Sequence, residues 1–289
     1  MPPLLRLVLT ASVLTAAGCD GEPSTLGIAE PDAPAAPPVA AAAFDPAASG
    51  TVRGRVTWAG PQPAAEEFLY GVAKPDGGGF DMRMMPNPNV PHVDPATRAV
   101  AGAVVFLRGI DPAAAKPWDL PAVRVEFRDR QIRVRQGDAA PGRVGFVRRG
   151  DGVSLSSAEP VYHVLRGRGA SFFSLTFPDA DRPLTRTLDK PGRVELTSGA
   201  GFYWASADLF VADHPYYSLT DRDGRFTMNH VPAGKAELVV WLPGWTPAAQ
   251  ERDPESGLVS RMNYAPPVEV ARRTTVERGQ TVDVSVAVP

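Results

Sequence analysis

Residues 216–244, YYSLTDRDGRFTMNHVPAGKAELVVWLPG, contain three short β-favouring runs separated by two turns. The first turn is Asp-Arg-Asp-Gly at 221–224, and the second is Pro-Ala-Gly at 232–234. Valine, phenylalanine and tyrosine favour strands, and a glycine that ends a tight turn can adopt the left-handed backbone. The stretch therefore predicts three successive strands, the first turn belonging to a hairpin with Gly224 left-handed. Asp221 and Asp223 look like calcium ligands, but no further acidic ligands follow them, so we assign both to the turn.

The same pattern continues through most of the chain after residue 50. Short valine-rich runs bounded by turn residues occupy 51–60, 99–109, 122–138, 142–155, 193–199 and 275–289. No window has a sustained helical period. With 31 prolines and 27 glycines among 289 residues, we expect an all-β protein made of two β-sandwiches. Residues 72–96 and 245–266 are expected to form long loops.

Composition and motifs argue against nucleic-acid binding and against catalysis. The chain has 30 basic and 32 acidic residues, a formal net charge of −2, and no block of lysine or arginine. Binding to nucleic acid needs basic residues gathered on one face. The chain has no Gly-x-Ser-x-Gly, no His-Glu-x-x-His and no phosphate-binding glycine loop. We expect a protein that is not an enzyme and has no nucleic-acid partner.

The N-terminal residues 1–18 have the layout of an export signal. They contain one early positive charge, Arg6, then an apolar stretch through Leu14 and small residues up to Gly18. The apolar stretch is too short to be a stable membrane span. Cys19 follows and is the only cysteine in the chain, so an internal disulfide and a multi-cysteine zinc site are excluded.

This segment resembles a bacterial lipoprotein signal, in which the cysteine after the cleavage point is lipidated and becomes the new N-terminus. Ala16 stands where leucine is most frequent in that pattern. The resemblance implies an exported cell-envelope protein anchored to a membrane by lipid on Cys19; a secreted protein with an incidental cysteine is the alternative. Residues 19–49 are rich in alanine and proline and cannot bury enough apolar surface to fold, so we expect a disordered tether.

The stretch quoted first resembles the carboxypeptidase regulatory-like, or transthyretin-like, module. The matching residues are Thr220, Asp221, Asp223, Gly224, Phe226, Val231, Pro232, Ala233, Gly234, Leu238, Val239 and Val240. That module normally begins with a Gly-x-Val strand and a Gly-Ala-x-Val strand, and the corresponding pieces here, 54–56 and 102–107, lie far upstream. We therefore expect one discontinuous sandwich made of residues 50–110 and 215–289, with residues 111–214 inserted between its strands.

The inserted part resembles a cupredoxin, in particular the cupredoxin-like proteins that carry a regulatory-like module. The matching residues are RGDG at 149–152, SAEPVYH at 157–163 and VELTSGAGFYWASADLFVADHPYY at 194–217. The resemblance implies that residues 111–214 form a Greek-key sandwich of the immunoglobulin-like kind.

Copper in a cupredoxin is held by two imidazoles and a thiolate, usually with an axial methionine. By the resemblance, His163 matches the histidine from the middle of the sandwich. Counting back from 213–215 places the thiolate position at Gly199, the second imidazole at Phe202 and the axial ligand at Ala205. None of the three can bind copper. The resemblance therefore implies a lost copper site, no cofactor, and a vestigial His163.

Two alternative sites stay open. The run FDMRMMPNPNVPH at 80–92 offers Met82, Met84, Met85 and His92, which could hold Cu(I) together with His163 or could simply cover apolar surface. Exposed aromatic residues could instead stack on sugar rings, and regulatory-like modules belong to a carbohydrate-binding-like fold group. The aromatic candidates are Phe202, Tyr203, Trp204, Trp241 and Trp245, which could equally fill the core.

We therefore interpret the chain as a lipid-anchored, all-β protein of the cell envelope. It would act as a binding or scaffold module for an envelope protein or a glycan, with a cupredoxin-like domain that has lost its copper. A copper-binding protein and a carbohydrate-binding protein are the alternatives.

Overall fold

The computed structural model describes residues 43–64, 66–74, 78–252, 254–255 and 259–289. Within these ranges the regular structure is one turn of 3-10 helix, Pro46–Ala48, and β-strands. The predicted all-β class is confirmed. No helix in the described part of the chain has the length and hydropathy needed to cross a membrane. The export signal and Cys19 lie outside the described residues.

The strands, in chain order, are β1 (Ser49–Trp58), β2 (Glu67–Ala73), β3 (Phe80–Pro86), β4 (His92–Val93), β5 (Val100–Ala101), β6 (Val104–Arg108), β7 (Val123–Arg128), β8 (Gln131–Gln136), β9 (Val144–Arg148), β10 (Gly152–Ser157), β11 (His163–Gly169), β12 (Phe173–Phe177), β13 (Leu184–Thr187), β14 (Gly192–Ser198), β15 (Ser206–Ala212), β16 (Tyr217–Leu219), β17 (Arg225–Pro232), β18 (Gly234–Leu242), β19 (Pro247–Arg252), β20 (Val259–Tyr264), β21 (Val268–Val276) and β22 (Thr281–Val288).

Four sheets carry most of these strands. The first has the order β17–β1–β22, and the second has the order β16–β6–β18–β21. The third is β12–β11–β14–β15–β9, and the fourth is β13–β10–β7–β8. The named strands between residues 123 and 212 pair only with one another, whereas β1 pairs with β17 and β22, and β6 pairs with β16 and β18.

Three apolar clusters lie between successive sheets, so the four sheets form a stack. Val56 and Val286 of the first sheet belong to one cluster with Leu107 and Leu238 of the second. A smaller cluster joins the second sheet to the third, where the rings of Trp241 and Phe210 are 5.2 Å apart. The last cluster joins the third and fourth sheets, and its members include Phe127, Ile132, Leu155, Leu165, Phe177, Leu196 and Leu209.

The inner position of the second and third sheets explains their sequences. β6 (VVFLR), β15 (SADLFVA) and β18 (GKAELVVWL) have nearly continuous apolar runs in which residues of both faces are buried. A strand covered on both sides reads in this way, whereas a strand with one solvated face alternates. β7 and β10, in an outer sheet, alternate strictly between buried and exposed or half-buried positions.

The turn prediction at 221–224 is confirmed, but the hairpin is wrong. Gly224 has φ +74°, and the Asp221 carboxylate accepts the backbone N–H groups of Asp223 at 2.9 Å and Arg225 at 2.8 Å. The strands on either side, β16 and β17, belong to the second and first sheets and do not pair with each other. The turn therefore carries the chain from one layer of the sandwich to the layer facing it.

Three further expectations are corrected. Residues 72–96 and 245–266 are not simply long loops, because β2 pairs with β3 and β19 pairs with β20. Phe68 of the first hairpin and Met262 of the second are buried in the cluster between the third and fourth sheets, which stabilises both hairpins. The predicted tether also ends earlier than residue 49, because Ser49 is already paired with Pro232 at the start of β1.

Candidate functional site

His163 is the first residue of β11 and points into the core between the third and fourth sheets. The alternation of this strand directs His163, Leu165 and Gly167 inward, and the His163 side chain is fully buried. Its ring stacks on that of Phe127 with centroids 4.3 Å apart and planes 12° apart. The ring of Phe202 lies on it at 5.1 Å. The imidazole is thus enclosed by apolar rings.

One nitrogen of this imidazole is held by a carboxylate. Nε2 of His163 lies 2.7 Å from Oε2 of Glu159, four residues earlier. The other carboxylate oxygen of Glu159 accepts the backbone N–H of Arg130 at 3.0 Å, and the carbonyl of Arg130 accepts the indole N–H of Trp204 at 2.9 Å. A chain of hydrogen bonds therefore joins His163 to the loop that contains Trp204.

The other nitrogen, Nδ1, is buried and has no hydrogen-bond partner among the described residues. Burial lowers the pKa of His163 by more than the Glu159 carboxylate raises it, so the ring is neutral at pH 7. With Nε2–H donated to Glu159, Nδ1 carries a lone pair to which no described residue donates a hydrogen bond. A histidine that binds a metal has this arrangement, with one nitrogen free for the metal and the other oriented by a carboxylate.

The positions assigned to the missing copper ligands lie close to His163. The backbone N–H of Gly199 donates to the carbonyl of Val164, the neighbour of His163, at 2.8 Å. Phe202 contacts the imidazole itself, and Ala205 donates its N–H to the carbonyl of Phe202 at 2.8 Å. The structure therefore brings the loop 199–205 and His163 together, as the resemblance implies.

This set of residues does not fit a copper ion of the cupredoxin type. Gly199 has no side chain, Phe202 contributes a hydrocarbon ring and Ala205 a methyl group, so His163 Nδ1 is the one donor atom that these four positions supply. Among the described residues, no group of three or more histidine, cysteine, aspartate or glutamate side chains is arranged to hold a metal ion.

The methionines of the alternative copper site are divided between two faces of the β2–β3 hairpin. Met82 and Met84 are 58% and 53% exposed on the outer face. Met85 packs against the core from the inner face, with its sulfur 3.9 Å from the amide nitrogen of Gln131. Met85 and the exposed His92 line one cleft, of which His163 is not a lining residue. The hairpin therefore does not present three thioethers together.

The aromatic candidates lie in or against the core. Trp204 and Trp241 are only 5% and 4% exposed. Phe202 and Tyr203 are half-buried, and the hydroxyl of Tyr203 donates to the carbonyl of Leu69 at 2.9 Å. Trp245 packs on Trp58 with ring centroids 5.5 Å apart. These five side chains do not form an exposed row. Phe172, on the loop before β12, is 79% exposed.

Sequence reasoning also missed a cluster of charged residues. It lines a cleft formed by β14 and β15 of the third sheet, by β20 and by the segment 243–244. Asp208, buried in β15, accepts a hydrogen bond of 2.7 Å from Arg193. Arg261 donates to Glu195 at 3.0 Å, and Arg143 bonds to the side chains of Asn89 and Ser206. Burial raises the pKa of Asp208, and the charges of Arg193 and Arg143 oppose that rise. The signal was present as an aspartate within the apolar run ADLFVA of a strand covered on both faces.

No family model matches the chain, and no curated protein matches it. Similar solved structures include a mutant of amicyanin in the Cu(I) state, with 14% sequence identity, 37% of this chain and 98% of amicyanin covered, and a TM-score of 0.25. A purple cupredoxin from Nitrosopumilus maritimus has 10% identity, with 31% of this chain and 98% of that one covered and a TM-score of 0.25. Both are cupredoxins, and each covers about a third of this chain.

Proposed function

We propose that this chain is a non-enzymatic binding or scaffold protein of the cell envelope, in which a cupredoxin-like sandwich has lost its copper. Residues 111–214 form that sandwich, inserted into a regulatory-like sandwich of residues 50–110 and 215–289. The export signal at 1–18 is removed after export, and a lipid on Cys19 holds the protein at a membrane.

The observation that carries the loss of copper is the environment of His163. Its Nδ1 has no partner, and the nearest ring on the side of the former ligand loop is that of Phe202. A ligating histidine needs further donors within coordination distance, and a phenyl ring excludes both the metal and the water that could replace it. The unpaired nitrogen is consistent with a residue that once had a metal partner.

The pairing of the strands supports the insertion. β1 runs parallel to β22 over eight paired residues, from Thr51 with Thr281 to Trp58 with Val288, and antiparallel to β17. The first and the last parts of the chain are thus neighbours in one sheet. The strands from 123 to 212 make their ladders among themselves. This is the pairing expected when one sandwich interrupts another.

Copper titration of the full purified chain tests the proposal. Cu(II), and Cu(I) under anaerobic conditions, are added in excess, and bound copper is counted after desalting. We expect much less than one copper per chain, and the same for His163→Gln. One copper per chain in the wild type that is lost in His163→Gln would contradict the proposal.

A variant with Met82, Met84 and Met85 all changed to leucine serves as the second arm of that titration. Copper lost in this variant and kept in His163→Gln would also contradict the proposal, because it would place the metal on the hairpin. Because Met82 and Met84 are exposed on one face of the hairpin and Met85 lies on the other, we expect this variant to bind as little copper as the wild type.

Cell fractionation tests the anchor. We expect the wild-type chain in the membrane fraction and a Cys19→Ser variant in the soluble extract, because one cysteine carries the whole anchor in a lipoprotein. Equal distribution of the two proteins would contradict lipidation at Cys19.

A further inference from the structure

The outer face of the fourth sheet is one end of the four-sheet stack and has no apolar side chain at its centre. The strict alternation of β7, β8 and β10 turns their valine, isoleucine, leucine and phenylalanine residues inward. The residues left on the outer face of these strands and of the edge strand β13 are arginines, small hydroxyl residues, one glutamate and one glutamine. They are Arg124, Glu126, Arg128, Gln131, Arg133, Arg135, Ser154, Ser156, Thr185 and Thr187.

The ladder aligns these side chains in rows across the sheet. One row runs from Thr185 to Ser154, Arg124 and Arg135, each directly opposite the next. Four strands at about 4.8 Å spacing make this row about 14 Å long. The neighbouring row contains Ser156, Glu126 and Arg133. Hydroxyl groups thus occupy one half of the face and guanidinium groups the other.

Three arginines of this face make no ion pair among the described residues, although the charge of Arg135, after that of Arg128, also helps to lower the pKa of Glu126. Glu126 is occupied by Arg128, which donates to it at 2.8 Å and 3.2 Å. No described residue makes an ion pair or a hydrogen bond with the side chains of Arg124, Arg133 or Arg135. Arg124 and Arg135 are also directly opposite each other, and like charges in that position destabilise a sheet. The arrangement is unfavourable in the free protein unless an anion comes to it.

The other end of the stack provides an internal comparison. On the outer face of the first sheet, Arg53 makes two hydrogen bonds with Asp283, at 2.7 Å and 3.1 Å. Arg225 lies 4.0 Å from the carboxylate of Asp223. There Arg53 and Arg225 have acidic partners within the chain, whereas Arg55, directly opposite Arg225, donates to the backbone carbonyl of Asp223 at 2.9 Å. The fourth sheet differs in that three arginines of its outer face make neither an ion pair nor a side-chain hydrogen bond among the described residues.

We propose that this face, called the arginine face and defined by Arg124, Arg133, Arg135, Ser154, Ser156 and Thr185, binds an acidic polysaccharide. Carboxylates of the polymer would accept from the guanidinium groups, and its hydroxyls would exchange hydrogen bonds with the serines and the threonine. The inference rests on the proposed role as a binding protein and gives that role its ligand class.

The chemistry of the face favours this occupant over others. The planar guanidinium group matches a carboxylate with two parallel hydrogen bonds. A row of hydroxyls beside the arginines suits a ligand that carries carboxylates and hydroxyls together. Binding to a protein partner normally buries an apolar anchor residue, and binding to a lipid surface inserts apolar residues into it. The centre of the arginine face has no apolar side chain.

The test measures binding of the full chain to two carboxylate polysaccharides, alginate and polygalacturonate, with neutral dextran as the control polymer. We expect both acidic polymers to bind at low ionic strength, dextran not to bind, and binding to weaken in about 0.5 M salt, where charges are screened within a few ångströms. The double variant Arg124→Gln and Arg135→Gln should bind about tenfold more weakly or worse, since each charge-assisted hydrogen bond is a strong one.

The matched control is the double variant Arg53→Gln and Arg225→Gln, which removes the same charge from the opposite end of the stack. We expect it to bind as the wild type does. The proposal is overturned if neither acidic polymer binds, or if the two double variants weaken binding equally. It is also overturned if vesicles of phosphatidylglycerol bind through Arg124 and Arg135 while the polysaccharides do not. Any of these failures leaves the copper result unchanged, so the two proposals fail separately.

Discussion

The two sandwiches of this chain differ in what they bury. Between the first and second sheets the buried side chains are aliphatic and aromatic, with Thr220 and Thr274 among the few polar ones. The sandwich of the third and fourth sheets also buries His163, whereas Asp208 is buried on the opposite face of the third sheet, toward the second. Burying an ionisable group is unfavourable unless it is paired. Among its described residues the first sandwich buries no carboxylate and no basic side chain, so the buried His163 of the second calls for another explanation, and we propose a former metal site.

The largest loss of stability should come from a substitution in the core between the first and second sheets. Leu238 is completely buried between the first and second sheets. Leu238→Ala should destabilise the protein by about 4 kcal/mol, through lost apolar burial and the cavity that remains. Urea denaturation at pH 7.5 and pH 5.5 measures this, and the loss should be the same at both pH values. A loss of stability that changed strongly with pH would show that this core depends on a group that titrates between pH 5.5 and 7.5, which contradicts the account.

Removing the buried charge of Asp208, on the face of the third sheet toward the second, should give a somewhat smaller loss of stability. Asp208→Ala leaves Arg193 with only its longer contact of 3.7 Å to Glu195 and leaves Arg143 without the nearby negative charge. The free energy of unfolding should fall by about 3 kcal/mol. Asp283→Asn, which breaks the exposed pair with Arg53, is the control and should be almost silent. If both variants behaved alike in denaturation, the distinction between buried and exposed pairs would fail.

A smaller loss of stability is expected in the turn that connects the second sheet to the first. Asp221→Ala removes the acceptor for two backbone N–H groups and should cost about 1 kcal/mol. Asp223→Ala is the matched control, since its carboxylate lies 4.0 Å from Arg225 and caps no backbone group. Thermal unfolding of the two variants should separate them; equal midpoints would contradict the capping role of Asp221.

At neutral pH, a substitution of His163 should change the stability least of these variants. Its effect on stability should grow as the pH falls. Because burial lowers its pKa in the folded protein, the unfolded chain takes up the proton first as the pH falls below about 6.5. The stability that depends on a neutral His163 is therefore present above that pH and is lost below it. His163→Phe should remove this part of the pH dependence. Parallel stability curves for wild type and variant between pH 7.5 and 5 would contradict the assignment.

Much of the strand pattern could be predicted, because β1, β7, β8 and β17 alternate regularly between apolar and polar residues. The pairing across 216–244 could not, since a turn capped by Asp221 has the same local chemistry whether its strands pair or change sheets. The β2–β3 hairpin was hidden because Leu69 and Met84 are apolar on its solvent face, which removes the alternation.

The candidate site could also be predicted only in part. Order along the chain and the resemblance together placed His163 near the loop 199–205. They could not supply the contact between Glu159 and the backbone of Arg130, because it depends on where the β7–β8 turn meets the end of β10. The pairing of Asp208 with Arg193 also required the register of β14 against β15, which makes the two residues diagonal neighbours on one face of the third sheet.

Rebuilding the copper site tests the central claim most directly. The triple variant Gly199→Cys, Phe202→His and Ala205→Met restores a thiolate, an imidazole and a thioether beside His163. Arg166 and Val164 would have to give way, since a Cβ on Gly199 lies 2.7 Å from Nε of Arg166 and 2.9 Å from a methyl of Val164. Adding His163→Gln to the triple variant gives the control.

The measurement is the visible absorption of the folded proteins after Cu(II) is added. We predict an intense thiolate-to-copper band in the triple variant, with one copper per chain, and none in the wild type or in the control. A triple variant that folds as the wild type does and stays colourless and copper-free would contradict the claim that His163 and the loop 199–205 are the remains of a copper site.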